Sequence, residues 1–376
     1  MTSFPSSSLS GRRVLVVGLG VSGFAAARAL LGLHAKVTVT DSAADPAIED
    51  RAAELTKAGA DVAIGGHDLE VLDADLAVIS PGIPPSAPIV RSLRDRGIDT
   101  IGEVELAYML GRRREGTCEF IAITGTNGKT TTTSLVASIL RAAGIPSEAA
   151  GNIGLPAVDA VATVGPGGVV AIEVSSFQLA TIRRFRPRVA VLLNIAEDHT
   201  DWHGSVGDYA SAKARIVMNQ KADDVFVVNA DDPRAVEVAH SAPSKVVYFS
   251  SRGPVEDGAG LVDGNLVWHG EVIISAEDVP LPGRAGLEDA IAAACAALEY
   301  GVDRHAVARA IKGFRPLAHR LEVVAVADDI TYVDDSKATN PHATLSAVQW
   351  MSDVVLIAGG RAKGIDLSKL AETIPP

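Results

Sequence analysis

From Arg13 to about Leu110, short apolar runs rich in β-branched residues alternate with Ala-rich amphipathic stretches. This is the rhythm expected of βαβ units on a parallel sheet. The predicted strands are 14–17, 37–40 and 76–80. The last runs into Pro81-Gly82-Ile83-Pro84-Pro85, which has to leave the sheet as a loop because proline cannot donate to a ladder. A second α/β series begins with a strand at 120–124 and continues through 169–174, 189–194 and 225–229 to about Arg315-Pro316. Within it, residues 250–282 are rich in Gly and Val with short alternating segments such as 265–268, a pattern that predicts hairpins beside the sheet. After His319-Arg320 a third pattern predicts strands at 321–326, 330–333 and 354–358. The fold class is therefore α/β, with domains at 1–112, 113–316 and 317–376. The last, about sixty residues, is expected to be only the start of a further α/β unit.

The length of 376 residues and an apolar content of 47% are ample for two or three separately packed cores. Cys118 and Cys295 stand far apart without CxxC spacing, which argues against a disulfide framework or a thiolate metal site. Residues 1–11 are Ser-rich with no basic segment leading into an apolar one. No run of about eighteen uncharged apolar residues occurs, so the expectation is a cytoplasmic protein with a short disordered leader. A formal charge of -12 argues against broad contact with nucleic acid or an anionic membrane, both of which need a positive field. The one basic run, Arg112-Arg113-Arg114, lies beside Gly111 and Gly116 and reads as a solvated linker. Any bound phosphate has to be held by local groups and metal.

Two glycine-rich segments sit where strands give way to helices. Gly18-Leu19-Gly20-Val21-Ser22-Gly23 follows the first strand, so backbone N–H groups and the helix dipole can receive a diphosphate. Asp41 ends the next strand, eighteen residues beyond Gly23, where a dinucleotide-binding fold places its ribose-reading acid. An NAD-dependent oxidoreductase is therefore a rival reading at this point. The stronger motif is Gly125-Thr126-Asn127-Gly128-Lys129-Thr130-Thr131, after an apolar strand and before a helix that ends near Gly144. Gly125 and Gly128 let the backbone wrap phosphate oxygens, Lys129 supplies a point charge for the β- and γ-phosphates, and the Thr130 hydroxyl can ligate Mg2+. The spacing is a compact variant of the common loop, with Ile123 where the first glycine is expected. Downstream, Glu173 and the segment Asn194-Ile195-Ala196-Glu197-Asp198-His199-Thr200-Asp201 lie near predicted strand ends, where such sheets bind ligands. Glu173 with Thr130 can bridge Mg2+ to nucleotide phosphates, and His199 can serve a second ion.

In chain order, residues 18–23, Ser80-Pro81-Gly82-Ile83, 125–131, Gly151-Asn152-Ile153-Gly154, 173–178, 194–201, Asn229-Ala230-Asp231-Asp232 and Asp335-Ser336-Lys337-Ala338-Thr339-Asn340 resemble the Mur ligase family. The likeness runs from about Arg13 to Asp366. It implies a three-domain architecture: a Rossmann-like first domain, a central ATPase domain of P-loop type, and a Rossmann-like third domain, incomplete here. It implies a monomeric ATP-dependent amide ligase of peptidoglycan precursor synthesis that adds D-glutamate to UDP-N-acetylmuramoyl-L-alanine through an acyl phosphate.

By the same resemblance, Gly18, Gly20, Ser22, Gly23, Asp41, Ser42 and Ser80 hold the UDP part, and Asn152, Ser175 and Gln178 face the sugar and its diphosphate. Residues Gly125 to Thr131 with Arg320 and Asp335 take ATP, and Lys337, Thr339 and Lys363 meet D-glutamate. Lys129, His199, Lys213 and Lys337 are the catalytic set. Two Mg2+ ions, replaceable by Mn2+, fall to Thr130, Glu173, His199 and Lys213. The last matches a lysine that becomes a CO2-derived carbamate, whose oxygens suit a hard cation as an ammonium does not. The chain departs from the family at Ala285-Gly286 and Asp289, where a His-Asn pair and a later Asn are usual near the adenine. A folylpolyglutamate-synthase-like ligase shares the compact loop but has no need of the first Gly-rich domain or of Ser80-Pro81-Gly82-Ile83.

Overall fold

The computed structural model describes residues 9–68, 73–112, 117–198, 200–348, 351–360 and 368–373. It is an α/β fold that divides into two units, one of Met1–Ile121 with Pro146–Pro187 and the other of Ala122–Ile145 with Arg188–Pro376.

In the first unit, β1 (Arg13–Val17), β2 (Lys36–Asp41), β3 (Asp61–Ile64), β4 (Leu76–Ile79) and β5 (Thr100–Gly102) form a sheet of order β3-β2-β1-β4-β5, parallel throughout. The strand order reverses between β1 and β4. This leaves a crevice at the carboxyl ends of those two strands, where the loops that follow them diverge. Leu15, Val17, Ala77 and Ile79 pack under the helix Pro88–Asp95 through its Ile89 and Leu93. Each such buried Leu or Ile contributes about 1.5–3 kcal/mol. The helix Pro46–Lys57 starts where the sequence sets it. Proline occupies its first position, and the Asp45 carboxylate accepts the N–H groups of Ala47 and Ile48.

The chain passes from one unit to the other along β6 (Glu119–Thr124), and β7 (Ser147–Gly151) pairs in parallel with the wholly buried β8 (Val169–Glu173) in the first unit. Tyr108, Phe120 and Phe185 cluster there with centroids 5.5–5.9 Å apart, Phe185 meeting the other two edge to face. Two carboxylates open the helix Glu103–Gly111. Buried Glu105 accepts the backbone N–H groups of Arg183, Arg184 and Phe185 at 2.8–3.0 Å. Glu103 accepts that of Val158, and burial pushes its carboxyl up to about 7.

In the second unit, β9 (Val189–Leu192), β10 (Val225–Asn229), β11 (Lys245–Phe249) and β12 (Gly258–Val262) run parallel. β13 (Asn265–Trp268) and β14 (Glu271–Ser275) continue from β12 as antiparallel hairpins. Beside this sheet lies the helix Gly283–Tyr300. Its buried run from Ala290 to Leu298 is mostly alanine, so the helix can approach both the strands and the helix Lys129–Ala142 closely. β15 (Glu322–Ala327) and β16 (Ile330–Asp334) form a separate antiparallel hairpin. Asp328 and Asp329 make its two-residue turn with φ of 49° and 62°, the double left-handed conformation that matches the strands' twist.

One predicted strand does not form. Residues 354–358 are irregular, with Val355 and Ile357 89% and 93% exposed. A continuous apolar run reads as a buried central strand, but a strand exists only where a neighbour completes its ladder, and among the described residues none pairs here. β3, β5, β7 and β11 were not anticipated: the first three are short or half polar, and β11 is a five-residue strand opened by a lysine.

Glu105→Ala removes the acceptor shared by three consecutive backbone amides, that of Phe185 buried. It is expected to lower the stability of the first unit by at least about 3 kcal/mol in urea unfolding. Glu105→Gln, which keeps one carbonyl oxygen, should cost clearly less; equal losses would mean that side-chain volume, not hydrogen bonding, is what matters there.

Candidate functional site

At the crevice of the first unit the glycine-rich turn is shaped by contact. Gly18 has φ 92°, and a Cβ on it would lie 2.7 Å from Ser80 Oγ. A Cβ on Gly23 would lie 1.8 Å from the carbonyl oxygen of Gly18. Neither position accepts a larger residue, whereas Gly20 has open space around it. Ser80 Oγ donates to the Gly18 carbonyl at 3.0 Å, and Asp41 accepts from Leu19 N–H at 2.5 Å and from Ala43 N–H at 2.8 Å. Thus Gly18, Gly23, Asp41 and Ser80 come together, with Ser22 half-buried in the first helical turn and Ser42 exposed beside Asp41. Elsewhere in this unit Glu173 is buried and accepts from Asn152 Nδ2 at 2.9 Å. Ser175 and Gln178 form a reciprocal capping box at the start of the helix Ser176–Ala180.

The second unit holds the phosphate loop. Gly128, at φ 83°, is the N-cap of the helix Lys129–Ala142, so the amides of the first helical turn face outward from its end. A Cβ on Gly128 would meet Asp289 Oδ1 at 2.1 Å, and one on Gly125 would meet Leu193 at 2.9 Å. Asn194, just beyond β9, fixes the curve: its Oδ1 accepts the N–H of Thr126 at 3.0 Å and of Asn127 at 2.8 Å, and its Nδ2 donates to the Asn127 carbonyl. Lys129 Nζ donates to the Thr126 carbonyl at 2.7 Å, folding the amine back over the loop. Thr130 is half-buried, and Thr131 is buried below it. Lys213, 1% exposed, donates to the Gly125 carbonyl at 2.7 Å and lies 4.5 Å from the Tyr209 ring centroid.

The same unit carries the later candidates. Asp335 accepts from Leu321 N–H, and burial raises its carboxyl while neighbouring Arg320 opposes the rise. Lys337 and Thr339 are exposed. Asn340, three residues after Lys337, exchanges amide hydrogen bonds with Asn127 of the phosphate loop, and Asn127 also donates to His342. His199 and Lys363 lie outside the described residues, as do Arg113, Arg114 and residues 1–8. Sequence reasoning overlooked Asn194, Asn340 and His342 as builders of the loop. A buried Asn just beyond an all-apolar strand was the available signal for the first, and Asn340 closed a recognised motif; nothing local distinguished His342.

Residues 123–297 match the Mur ligase middle domain, and residues 12–102 match the Mur ligase MurD-like, N-terminal domain. The UDP-N-acetylmuramoylalanine--D-glutamate ligase of Geobacillus kaustophilus is 44% identical over 371 residues, spanning 97% of this chain and 81% of that protein. The enzyme of the same name from Pelotomaculum thermopropionicum is 40% identical over 369 residues, 96% and 80% of the two chains. The chain belongs to the Mur ligase family. Solved Mur ligases share its fold. The UDP-N-acetylmuramate:L-alanyl-gamma-D-glutamyl-meso-diaminopimelate ligase of Neisseria meningitides superposes with a TM-score of 0.59 at 21% identity, covering 82% of this chain and 99% of that one. MurF of Thermotoga maritima, solved in complex with ADP, gives 0.56 at 15% identity, covering 91% and 75%. Among the described residues no helix is long and apolar enough to cross a membrane.

Within this Mur ligase two adjacent acids stand under the phosphate loop. Asp289 is buried, accepts from Thr132 Oγ1 at 3.3 Å, and is raised well above the carboxylate range by burial and by Glu288. Glu288 accepts from Asn229 Nδ2 at 3.0 Å. Burial, with Asp231 nearby, pushes it up to about 7. A carboxyl whose folded pKa is raised binds its proton more tightly in the folded state. Its stabilising contribution is therefore full below about 4.5 and is lost as pH rises through about 7. Glu288→Gln is expected to melt at the wild-type temperature near pH 4.5 and above it at pH 8, with a flatter profile between. Parallel melting curves for the two proteins across that range would contradict a raised Glu288.

Proposed function

We infer that this chain is an ATP-dependent amide ligase that joins D-glutamate to UDP-N-acetylmuramoyl-L-alanine in peptidoglycan precursor synthesis. The observation that carries this reading is the compact phosphate loop, curved by Asn194 and closed by Lys129 and Lys213, in a chain about 40% identical to ligases of that name. In this reading the alanyl carboxylate attacks the γ-phosphorus of ATP, giving an acyl phosphate and ADP, and the amine of D-glutamate then displaces phosphate. The first step brings an anion against an anion, so its barrier is chiefly electrostatic. In this reading Lys129 lowers it, its amine and the outward amides of Gly128 to Thr131 addressing the same phosphates. Bound Mg2+ supplies further charge neutralisation at the phosphate oxygens.

Thr130 and Glu173 would be the hard oxygen donors for that ion, with His199 for a second. Mn2+ satisfies the same donors. Lys213 fits conversion to a carbamate: its nitrogen keeps one N–H, enough for the Gly125 carbonyl 2.7 Å away, while two new oxygens become available to a cation. Gly18, Gly20, Ser22, Gly23, Asp41, Ser42 and Ser80, with Asn152, Ser175 and Gln178, take the UDP-linked substrate. Arg320 and Asp335 take ATP, and Lys337, Thr339 and Lys363 take D-glutamate, Lys337 and Lys363 opposite its two carboxylates. Functional domains at 1–112, 113–316 and 317–376 go with these roles. We take the enzyme to work as a cytoplasmic monomer without nucleic-acid or membrane partners, in keeping with its charge of -12.

Calorimetric titration is expected to show saturable binding of UDP-N-acetylmuramoyl-L-alanine and none of NAD; the opposite pattern would overturn the ligase reading. Lys129→Ala should lower D-glutamate-dependent phosphate release at least about a hundredfold, the scale of losing one preorganised charge donor. It should leave affinity for the nucleotide sugar unchanged.

A further inference from the structure

The hairpin β15–β16 opens from a strained corner. His319 has φ 62° and Leu321 φ 48°, left-handed values that non-glycine residues avoid unless surrounding contacts impose them. Those contacts are present. His319 Nδ1 lies 2.7 Å from Asp334 Oδ2, and the His319 N–H donates to Glu322 Oε2 at 2.7 Å. The Leu321 N–H donates to Asp335 Oδ1 at 3.2 Å, and the Lys337 N–H donates to the His319 carbonyl at 3.3 Å. Asp334 uses its other oxygen to accept the Ser336 N–H at 2.9 Å. Because Glu322 and Asp334 are paired in register, residues 319–321 and 335–337 run side by side where the hairpin opens. The first stretch thus forms a template for the second.

His319, Glu322 and Asp334 also offer atoms within 4.8 Å of one another, close enough for a cation. Each is already engaged, however: the imidazole by Asp334, and the Glu322 carboxylate by an amide. His319 and Glu322 are exposed, so bulk water competes with any such ligation. The hydrogen-bonded pair accounts for the geometry without an ion. His319 holds the Asp334 carboxyl down at about 2, so it is anionic at all working pH values.

We propose that His319 and Asp334 are positioning residues for the amino-acid substrate: together they fix the backbone of residues 335–337 and hence the direction from which Lys337 reaches D-glutamate. This rests on the reading of Lys337 as a D-glutamate contact. Neither residue has to touch substrate. The strain at His319 and Leu321 is the conformational counterpart of the latch, since without Asp334 and Glu322 the corner would relax to ordinary φ and carry Lys337 with it.

Steady-state kinetics of the purified protein test this for each substrate separately. His319→Ala and Asp334→Ala are expected to raise the KM for D-glutamate at least about tenfold. KM for the UDP-linked substrate, whose assigned contacts lie outside this hairpin, should stay within about twofold, and melting temperatures should be unchanged. Asp334→Asn keeps an oxygen for the Ser336 N–H and presents its amide N–H to the imidazole as acceptor, and should restore most of the D-glutamate KM. Hydrogen exchange at the Ser336 and Lys337 amides should quicken in the two alanine variants and not in Asp334→Asn. A uniform rise in all three KM values would overturn the proposal, because a loss of general structure has no reason to single out one substrate. Lys337→Ala separates the two layers of the argument. If it leaves the D-glutamate KM unchanged, the reading of Lys337 fails and the latch's purpose with it. If it raises that KM while the His319 and Asp334 variants do not, only the latch is overturned. Stabilisation of the wild type by Zn2+ or Mn2+ that disappears in Asp334→Ala would replace the latch with a metal site.

Discussion

The carboxamide of Asn194 is the contact on which the rest of the nucleotide site depends. A phosphate loop must turn several amides toward one point, which leaves its carbonyls and remaining amides without helix or sheet partners. Asn194 supplies both halves of what is missing, an acceptor for Thr126 and Asn127 and a donor for the Asn127 carbonyl. It can do so because it follows the fully buried β9, whose four apolar residues hold it rigidly beyond the carboxyl end of an interior strand. Thr126 adds a second tie through its hydroxyl, which accepts the Ala196 N–H. Affinity for phosphate is thereby prepared by packing before any nucleotide arrives.

Anchoring backbone to a fixed polar side chain recurs throughout the molecule. Asp41 orders the glycine turn through Leu19 and Ala43, Glu105 gathers three consecutive amides, and Asp232 holds Ile195 while capping the helix Pro233–Ala239. In each case a carboxylate near one end of a regular element satisfies loop amides that no ladder can reach. Asp41 accordingly has a structural role wherever else its free lone pairs are used. Such groups also carry the charge for which water would otherwise compete, which is why Glu103 and Glu288, with fewer donors around them, drift to about 7.

The strands of the parallel sheets were legible because a buried central strand is apolar on both faces; 14–17, 120–124 and 225–229 read as such without ambiguity. The glycine motifs were legible for a related reason, since Gly18, Gly23, Gly125 and Gly128 stand where a Cβ cannot fit. Segment 354–358 shows the limit of the same rule, for an apolar run states that a strand can be buried and not that a partner is there to bury it. Asn340 and His342 were illegible because their contact with Asn127 joins residues more than two hundred positions apart, and no local pattern encodes a separation of that kind. Asn194 lay in plain view inside a recognised motif, yet its role depends on the direction of its amide, which only the fold sets.

Asp289 brings packing and chemistry to the same point. Its carboxyl fills the space that a Cβ on Gly128 would need, so the loop's glycine is required both by φ and by this neighbour. The family resemblance implies an asparagine here, and an ionised aspartate would be a poor replacement: it offers only acceptors, at a buried position. Burial resolves the mismatch. By raising the pKa of Asp289 it favours the neutral acid, which presents one donor and one acceptor in nearly the shape of a carboxamide. The exchange is therefore conservative only because the position is sealed, and the adjacent Glu288, once ionised above about 7, further favours the proton on Asp289.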